Sequence, residues 1–346
     1  MTTEVAKTEA GWRVWGHDHA VRELQSAVAR GPRHAYILSG YHHVGKTALA
    51  LEFARAILCE RPPSPGRSCG ECSTCRRIAR GTHPDVTLFD LDRQIQSAEK
   101  SSTGKNLSLT IATVREITSG IALRPMEARQ RVIIVDDVET MQETAQEAFL
   151  KTLEEPPPYA VVLLLTTDAE ILMETIRSRA MTIQLQTVPA ATIAEMLRAS
   201  GVETGLAHTV AVASVGRPGW ALRALEDETL LKQRIDTRNS VVSWIHSDPY
   251  GRLAEATRLG EAFSKDRDAV YARLLAAQTI WRAMVLRSVG ITDADNPEVA
   301  GEGQTAFAAA DSVRALKSVD ACLADLDANV RPRLALQSMV LQWPTE

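Results

Sequence analysis

The sequence predicts the α/β class, a doubly wound parallel-sheet domain followed by an all-helical C-terminal part. Three observations predict it. His34–Ser39 (HAYILS) is an apolar run leading directly into Gly40–Thr47 (GYHHVGKT), which fits the phosphate-loop pattern G-x-x-x-x-G-K-[ST]. Arg131–Val135 (RVIIV) and Val161–Leu165 (VVLLL) are continuous β-branched and leucine runs, the pattern of parallel strands buried on both faces. From Ala190 onward strand signals vanish.

Taken in order, HAYILS is the first strand, GYHHVGKT the loop, and Ala48–Leu58 (ALALEFARAIL) the helix that the loop opens. Between the two buried runs, Thr140–Leu153 has helical periodicity and is stopped by Pro156-Pro157-Pro158. This alternation predicts a domain ending near residue 185. Beyond it, Thr192–Ala199, Ala207–Val215 and Trp220–Glu226 read as short helices. Val270–Val289, Ser312–Leu326 and Arg333–Gln342 are amphipathic helices. Gln94–Lys105 and Gly290–Gly303 read as polar loops.

The 346 residues suffice for two or three domains, and 45% apolar with 24% charged residues is ordinary globular composition. A net charge of −4 argues against a surface built wholesale for polyanions, while leaving room for a local basic stripe. No apolar run approaches the roughly 20 residues that span a bilayer. The N-terminal MTTEVAKTEAGWRVWG carries no apolar signal core, and four of five cysteines crowd between 59 and 75. Both features point to a reducing cytoplasm.

Each motif has a chemical reading. Backbone N–H groups of the loop and the helix N-terminus would wrap a β-phosphate. Lys46 would reach the β- and γ-phosphates and the Thr47 hydroxyl would bind magnesium. His42 and His43 fill variable positions and read as tolerated side chains, not as metal ligands. Val132–Val135 ends in Asp136-Asp137. Asp136 would hold magnesium, mostly through water. Asp137 either polarises an attacking water or caps the next helix. Cys59, Cys69, Cys72 and Cys75 are spaced C-x9-C-x2-C-x2-C, and four thiolates at roughly 2.3 Å close a tetrahedral structural zinc site. Free thiols or a redox pair are the alternative. Cys322 reads as core.

In this order the chain carries Arg33–Gly40 (RHAYILSG), the cysteine module, His83-Pro84-Asp85, Lys151–Pro157 (KTLEEPP), Leu163–Asp168 (LLLTTD), Ser178-Arg179 and Asn329–Leu336 (NVRPRLAL). The set resembles the AAA+ subunits of the bacterial sliding-clamp loader, the gamma/tau and delta-prime subunits of DNA polymerase III, over nearly the whole chain. The resemblance implies a RecA-like AAA+ domain over 1–185 with a zinc module at 59–80, a helical lid over 186–240, and a helical collar over 241–346 that assembles subunits. It implies ATP or ADP with magnesium at Gly40, Val44, Gly45, Lys46, Thr47, Ala48 and Asp136. Thr167 takes the sensor-1 place. Arg179 would act in trans as an arginine finger, its planar fork suiting phosphate oxygens; the bland alternative is a surface arginine paired to Glu174. Val14-Trp15-Gly16 resembles the segment near the adenine base.

Three departures lean toward the delta-prime type. In Gly216–Leu222 (GRPGWAL) the sensor-2 arginine position holds Gly219, with Arg217 two residues earlier. Asp137 stands where a glutamate is usual, and the chain ends at the collar. The implied partners are the gamma/tau and delta subunits in a hetero-pentamer, the sliding clamp and primer-template DNA, with no membrane, in the cytoplasm at the replisome. The rival expectations are a gamma/tau-type motor that hydrolyses ATP itself, and a P-loop enzyme acting on a small substrate.

Overall fold

A computed structural model describes residues 6, 8, 11–90, 108–291 and 307–345. The loops read at Gln94–Lys105 and over most of Gly290–Gly303 lie outside them. The chain divides into two compact units, residues 1–207 with 214–222, and residues 208–213 with 223–346.

The first unit is built on five parallel strands, β1 (Ala35–Ser39), β2 (Val86–Phe89), β3 (Arg131–Val135), β4 (Ala160–Thr166) and β5 (Met181–Gln184), in the order β2-β3-β4-β1-β5. The register sets Ser39 beside Thr166 and Gln184, and Val135 beside Leu164. β1, β3 and β4 are buried along their whole length, as continuous apolar runs require of strands covered on both faces. Alternate residues feed two cores. Tyr36, Leu38, Ile134 and Leu163 face one, with α1 (Asp18–Arg30) and α2 (Lys46–Leu58). Ile37, Ile133, Val135 and Leu164 face the other, with α4 (Ile111–Ala122) and α5 (Glu143–Glu154), while the short α3 (Ser73–Ala79) lies between α2 and β2 in sequence. This is the RecA-like AAA+ arrangement. Among the described residues, α6 (Glu174–Arg177) and α7 (Ala190–Ala199) are the remaining α-helices lying wholly within this unit.

The edge strands β2 and β5 carry no continuous buried run, and in β5 only a short alternation of Met181 and Ile183 with exposed Thr182 and Gln184 marks the strand in the sequence. β2 is held at the sheet edge by Asp85 instead. That carboxylate is fully buried and accepts from the backbone N–H groups of Met126 (2.6 Å), Glu127 (2.9 Å) and Ala128 (2.9 Å). Burial works to raise the Asp85 carboxyl, but the three donors outweigh it and hold it below the ordinary carboxylate range.

α8 (Thr204–Ala213) and α9 (Pro218–Glu226) each contribute residues to both units. The second unit is otherwise helical: α10 (Glu228–Ile245), α11 (Pro249–Ala262), α12 (Arg267–Ser288), α13 (Ala309–Asp327) and α14 (Pro332–Val340). α10, α11 and α12 open on Asp227, Asp248 and Asp266, each accepting a backbone N–H of the first turn, and Pro249 opens α11. The core gathers Trp244, Trp281 and Trp343, with Trp343 4.8 Å from Trp244 and 5.7 Å from Trp281 between ring centroids. Cys322 is buried in this core, as its helical setting suggested. Among the described residues no helix is long and apolar enough to cross a membrane.

Asp85→Asn keeps the shape and removes the charge that three amides point at. It is expected to lower unfolding free energy at pH 7 by about 2–4 kcal/mol. Because the folded carboxyl titrates below its unfolded value, the wild-type advantage is intact above about pH 4. It should shrink as pH falls below that, which denaturant unfolding at pH 7 and pH 3.5 would read.

Candidate nucleotide and metal sites

The phosphate loop leaves β1 at Gly40 and enters α2 at Lys46. Gly45 adopts φ 118°, a left-handed backbone that only glycine takes without strain, and this turns the chain into the helix. The residue before α2 is Gly45, which has no side chain to occupy the first-turn amides, and these suit an anion. Lys46 is buried, and its ammonium donates to the carbonyls of Gly40 (2.6 Å) and Tyr41 (3.2 Å). Burial lowers its pKa, opposed by Asp136, Glu139 and Asp137. Val44 is buried and Ala48 exposed. His17, which the sequence reading passed over, places its Nε2 2.9 Å from the Val44 carbonyl and so braces the loop from behind.

The second wall comes from the end of β3. Thr47 Oγ1 donates to Asp136 Oδ2 at 2.9 Å, so the hydroxyl and carboxylate expected to hold magnesium do meet. The donor set, one hydroxyl and one carboxylate oxygen, suits a hard cation that keeps most of its water. Asp137 has φ 54° and stands before the 3-10 turn Val138–Thr140, but its side chain makes no capping bond, which removes the capping alternative. Burial, then repulsion from Asp136 and Glu139, pushes its carboxyl up to about 6. Glu139 is a third carboxylate that sequence reading missed; its signal is the D-D-x-E spacing. Glu139 Oε1 accepts from the Thr167 N–H at 3.2 Å. Thr167 thus stands beside the acidic turn, while Thr166, fully buried, accepts through its carbonyl from the Gly40 N–H at 3.0 Å. His42 is brought to the same turn as Asp137 and Glu139.

Gly219, which the resemblance sets at the sensor-2 place, is close-packed. Its N–H donates to the His43 carbonyl at 2.8 Å, and a Cβ there would sit 2.9 Å from that oxygen. An arginine cannot occupy this position without moving backbone. Arg217 lies with its guanidinium carbon 5.8 Å from the centre of the Tyr41 ring. Arg179 is not brought to this pocket. It pairs with Glu154 of KTLEEPP at 2.9 Å, and its Nη1 donates to the Thr175 carbonyl at 2.9 Å. Its partner is therefore Glu154 rather than Glu174. Val14 is buried and the Trp15 indole N–H donates to Ala6 O at 2.9 Å.

Cys59, which follows α2 directly, meets Cys69, Cys72 and Cys75, all four sulfurs within 4.8 Å of one another. Cys69 and Cys75 Sγ are 3.9 Å apart, against about 3.8 Å for thiolates at 2.3 Å around a tetrahedral ion. Backbone N–H groups of Cys69, Cys72 and Cys75 point at the sulfurs of Cys59, Cys69 and Cys72. Burial alone would raise Cys69, but amide and thiol donors bring it down to about 6, while burial pushes Cys75 up. The cluster could hold a tetrahedral metal such as zinc.

The model of the family described as "DNA polymerase III, delta subunit" matches residues 16–189, just over half of the chain. The delta-prime subunit of Pseudomonas aeruginosa is 35% identical over 146 residues, 42% of this chain and 41% of that protein. The tau/gamma subunit of Haemophilus influenzae is 31% identical over 185 residues, 53% of this chain and 25% of that protein. The matches thus span well under two thirds of these relatives' own length. A gamma subunit-related protein of Thermotoga maritima aligns over 93% of this chain and 97% of its own, at 17% identity and a TM-score of 0.43. A likeness of that size carries no functional argument.

Gly219→Ala pushes a methyl into the His43 carbonyl, an overpacking of about 1–3 kcal/mol. Differential scanning calorimetry should show a thermal midpoint lowered by roughly 2–8 °C. An unchanged midpoint would mean that residues 43 and 219 part freely. With the family model covering half of its length and relatives of both kinds among its matches, the chain belongs to the DNA polymerase III delta-subunit family, among clamp-loader subunits of the gamma/tau and delta-prime type.

Proposed function

We propose that the chain is a delta-prime-type clamp-loader subunit that binds ATP or ADP with magnesium, turns it over little by itself, and lends Arg179 to a neighbouring subunit. The single observation that carries this reading is Gly219 packed on His43 beside an otherwise complete phosphate loop. Lys46, Thr47 and Asp136 supply what phosphate binding needs. Turnover needs a cation on the transition-state charge as well, and position 219 has no room for one. Arg179 faces away from its own loop, paired to an exposed carboxylate it can exchange. On this reading residues 1–185, 186–240 and 241–346 act as nucleotide domain, lid and collar. The partners are gamma/tau and delta subunits in a hetero-pentamer that loads a sliding clamp on primed DNA in the cytoplasm. Magnesium held at Thr47 and Asp136 would bridge phosphate oxygens, and zinc would hold the four cysteines.

A second reading, a gamma-type motor, is favoured by one feature: Asp137 is uncapped and its carboxyl is pushed toward about 6, a value suited to a general base. The two readings part on turnover. The isolated chain should bind fluorescent ATP and ADP with magnesium, lose both on Lys46→Ala, and hydrolyse almost nothing. Vigorous turnover that vanishes in Lys46→Ala would establish the motor reading instead. In the reconstituted loader, Arg179→Ala should leave this chain's own nucleotide affinity unchanged and slow the neighbouring site by about 10³-fold, as loss of an arginine finger does.

Freshly purified, reduced protein should carry about one zinc per chain. Cys72→Ser should release it and loosen residues 59–80 in hydrogen exchange while leaving nucleotide binding intact. Metal analysis that finds no zinc would reduce the module to a thiol cluster.

A further inference from the structure

His42 and Glu139 have no part in phosphate binding as described above, yet the fold brings them together. His42 comes from the exposed crest of the phosphate loop; Asp137 and Glu139 come from the turn that follows β3. We propose that His42, Asp137 and Glu139 form a site for a divalent transition-metal ion, separate from the four cysteines and from the Thr47–Asp136 pair. One ligand atom from each of the three lies within 4.8 Å of the other two. Nitrogen and oxygen donors at about 2.1 Å from a common ion lie roughly 3 Å apart, so side-chain shifts of less than about 2 Å would close the set.

A second observation points the same way. Glu139 Oε1 is satisfied by the Thr167 N–H, but Oε2 is shielded from solvent and has no hydrogen-bond partner. A shielded carboxylate oxygen without a donor is costly, and a cation is what it lacks. The local charge agrees. Asp136, Asp137 and Glu139 all act on one ammonium, that of Lys46, so the acids outnumber the nearby cation. The exposed His42 ring brings a nitrogen ligand atom to the acids.

The chemistry of the donors selects the ion. One imidazole and two carboxylates suit manganese, iron, cobalt or zinc, whereas magnesium and calcium prefer oxygen alone. Thiolates do not compete for the harder of these ions, so the four-cysteine cluster is blind to manganese. An ion here would tie the crest of the phosphate loop to the turn after β3, and no nucleotide is required for it. The site therefore stands or falls apart from the nucleotide reading.

The experiment uses the full chain, nucleotide-free, with zinc retained at the cysteines and other metals removed. Manganese is titrated and followed by electron paramagnetic resonance. One manganese per chain is expected, with the imidazole-nitrogen coupling that pulsed spectra resolve. His42→Ala should abolish that coupling and weaken binding about tenfold or more; Glu139→Gln should weaken it to a similar degree and keep the coupling. No bound manganese overturns the proposal. So does manganese bound without nitrogen coupling and indifferent to His42→Ala, which would place it on the carboxylates around Asp136. Coupling that disappears in His43→Ala instead would name the wrong histidine and overturn the assignment as well.

Discussion

Everything chemical in the first unit depends on one constraint: five strands run parallel and stop at the same edge of one sheet. Because β1 pairs with β4 on one side and β5 on the other, the phosphate loop, the turn after β3 and the residues after β4 all begin on that edge. The register holds them to the ångström. Ser39 lies opposite Thr166, the next amide, Gly40 N–H, donates to the Thr166 carbonyl, and the Ser39 hydroxyl accepts from Ala169 N–H at 3.1 Å. A slip of one residue in β1 would exchange its two faces, pulling Tyr36 and Leu38 out of one core and Ile37 out of the other. The cost of such a slip is what keeps Thr47 opposite Asp136.

On the function proposed above, binding and turnover would draw on different parts of the chain. Binding would use local features: a left-handed glycine, the first-turn amides of α2, a buried lysine. All lie between Gly40 and Thr47, so a short stretch specifies them. Turnover needs charges brought from afar. Here the distant contributions would be the acidic turn, Thr167 beside it, and the segment around Gly219 that lies against the loop. That segment arrives with a backbone amide in place of a cation.

The same division decides what could be read from the sequence. β1, β3 and β4 were legible because both faces are buried, which leaves uninterrupted apolar runs. α2 was legible because the loop motif fixes where it starts. β2 and β5 were not: neither has a full apolar run, the alternation Met181-Thr182-Ile183-Gln184 of β5 is only four residues long, and β2 owes its place to an aspartate three amides converge on. α10 and α11 were missed although Asp227 and Asp248 announce their starts. At the site, Lys46, Thr47 and Asp136 stood out by spacing, and the four cysteines met as their spacing required. What escaped depends on tertiary approach. Glu139 gains its role only where Thr167 comes to it, His17 only where Val44 turns its carbonyl inward, and Glu154 only where Arg179 folds back onto α5.

That last pair has a kinetic side. Arg179 and Glu154 are each more than a third exposed, and an ion pair in such a setting is worth about 0–1 kcal/mol. A competing phosphate need supply no more than that to displace the carboxylate, and side chains at the surface exchange rotamers within nanoseconds. The pair therefore sets an orientation without setting a barrier. The guanidinium is held by the Thr175 carbonyl on one nitrogen and by a replaceable Glu154 oxygen on another. Raised salt would loosen this resting pair and any phosphate contact alike, so ionic strength should change how often the arginine is parked far more than where it points when it is.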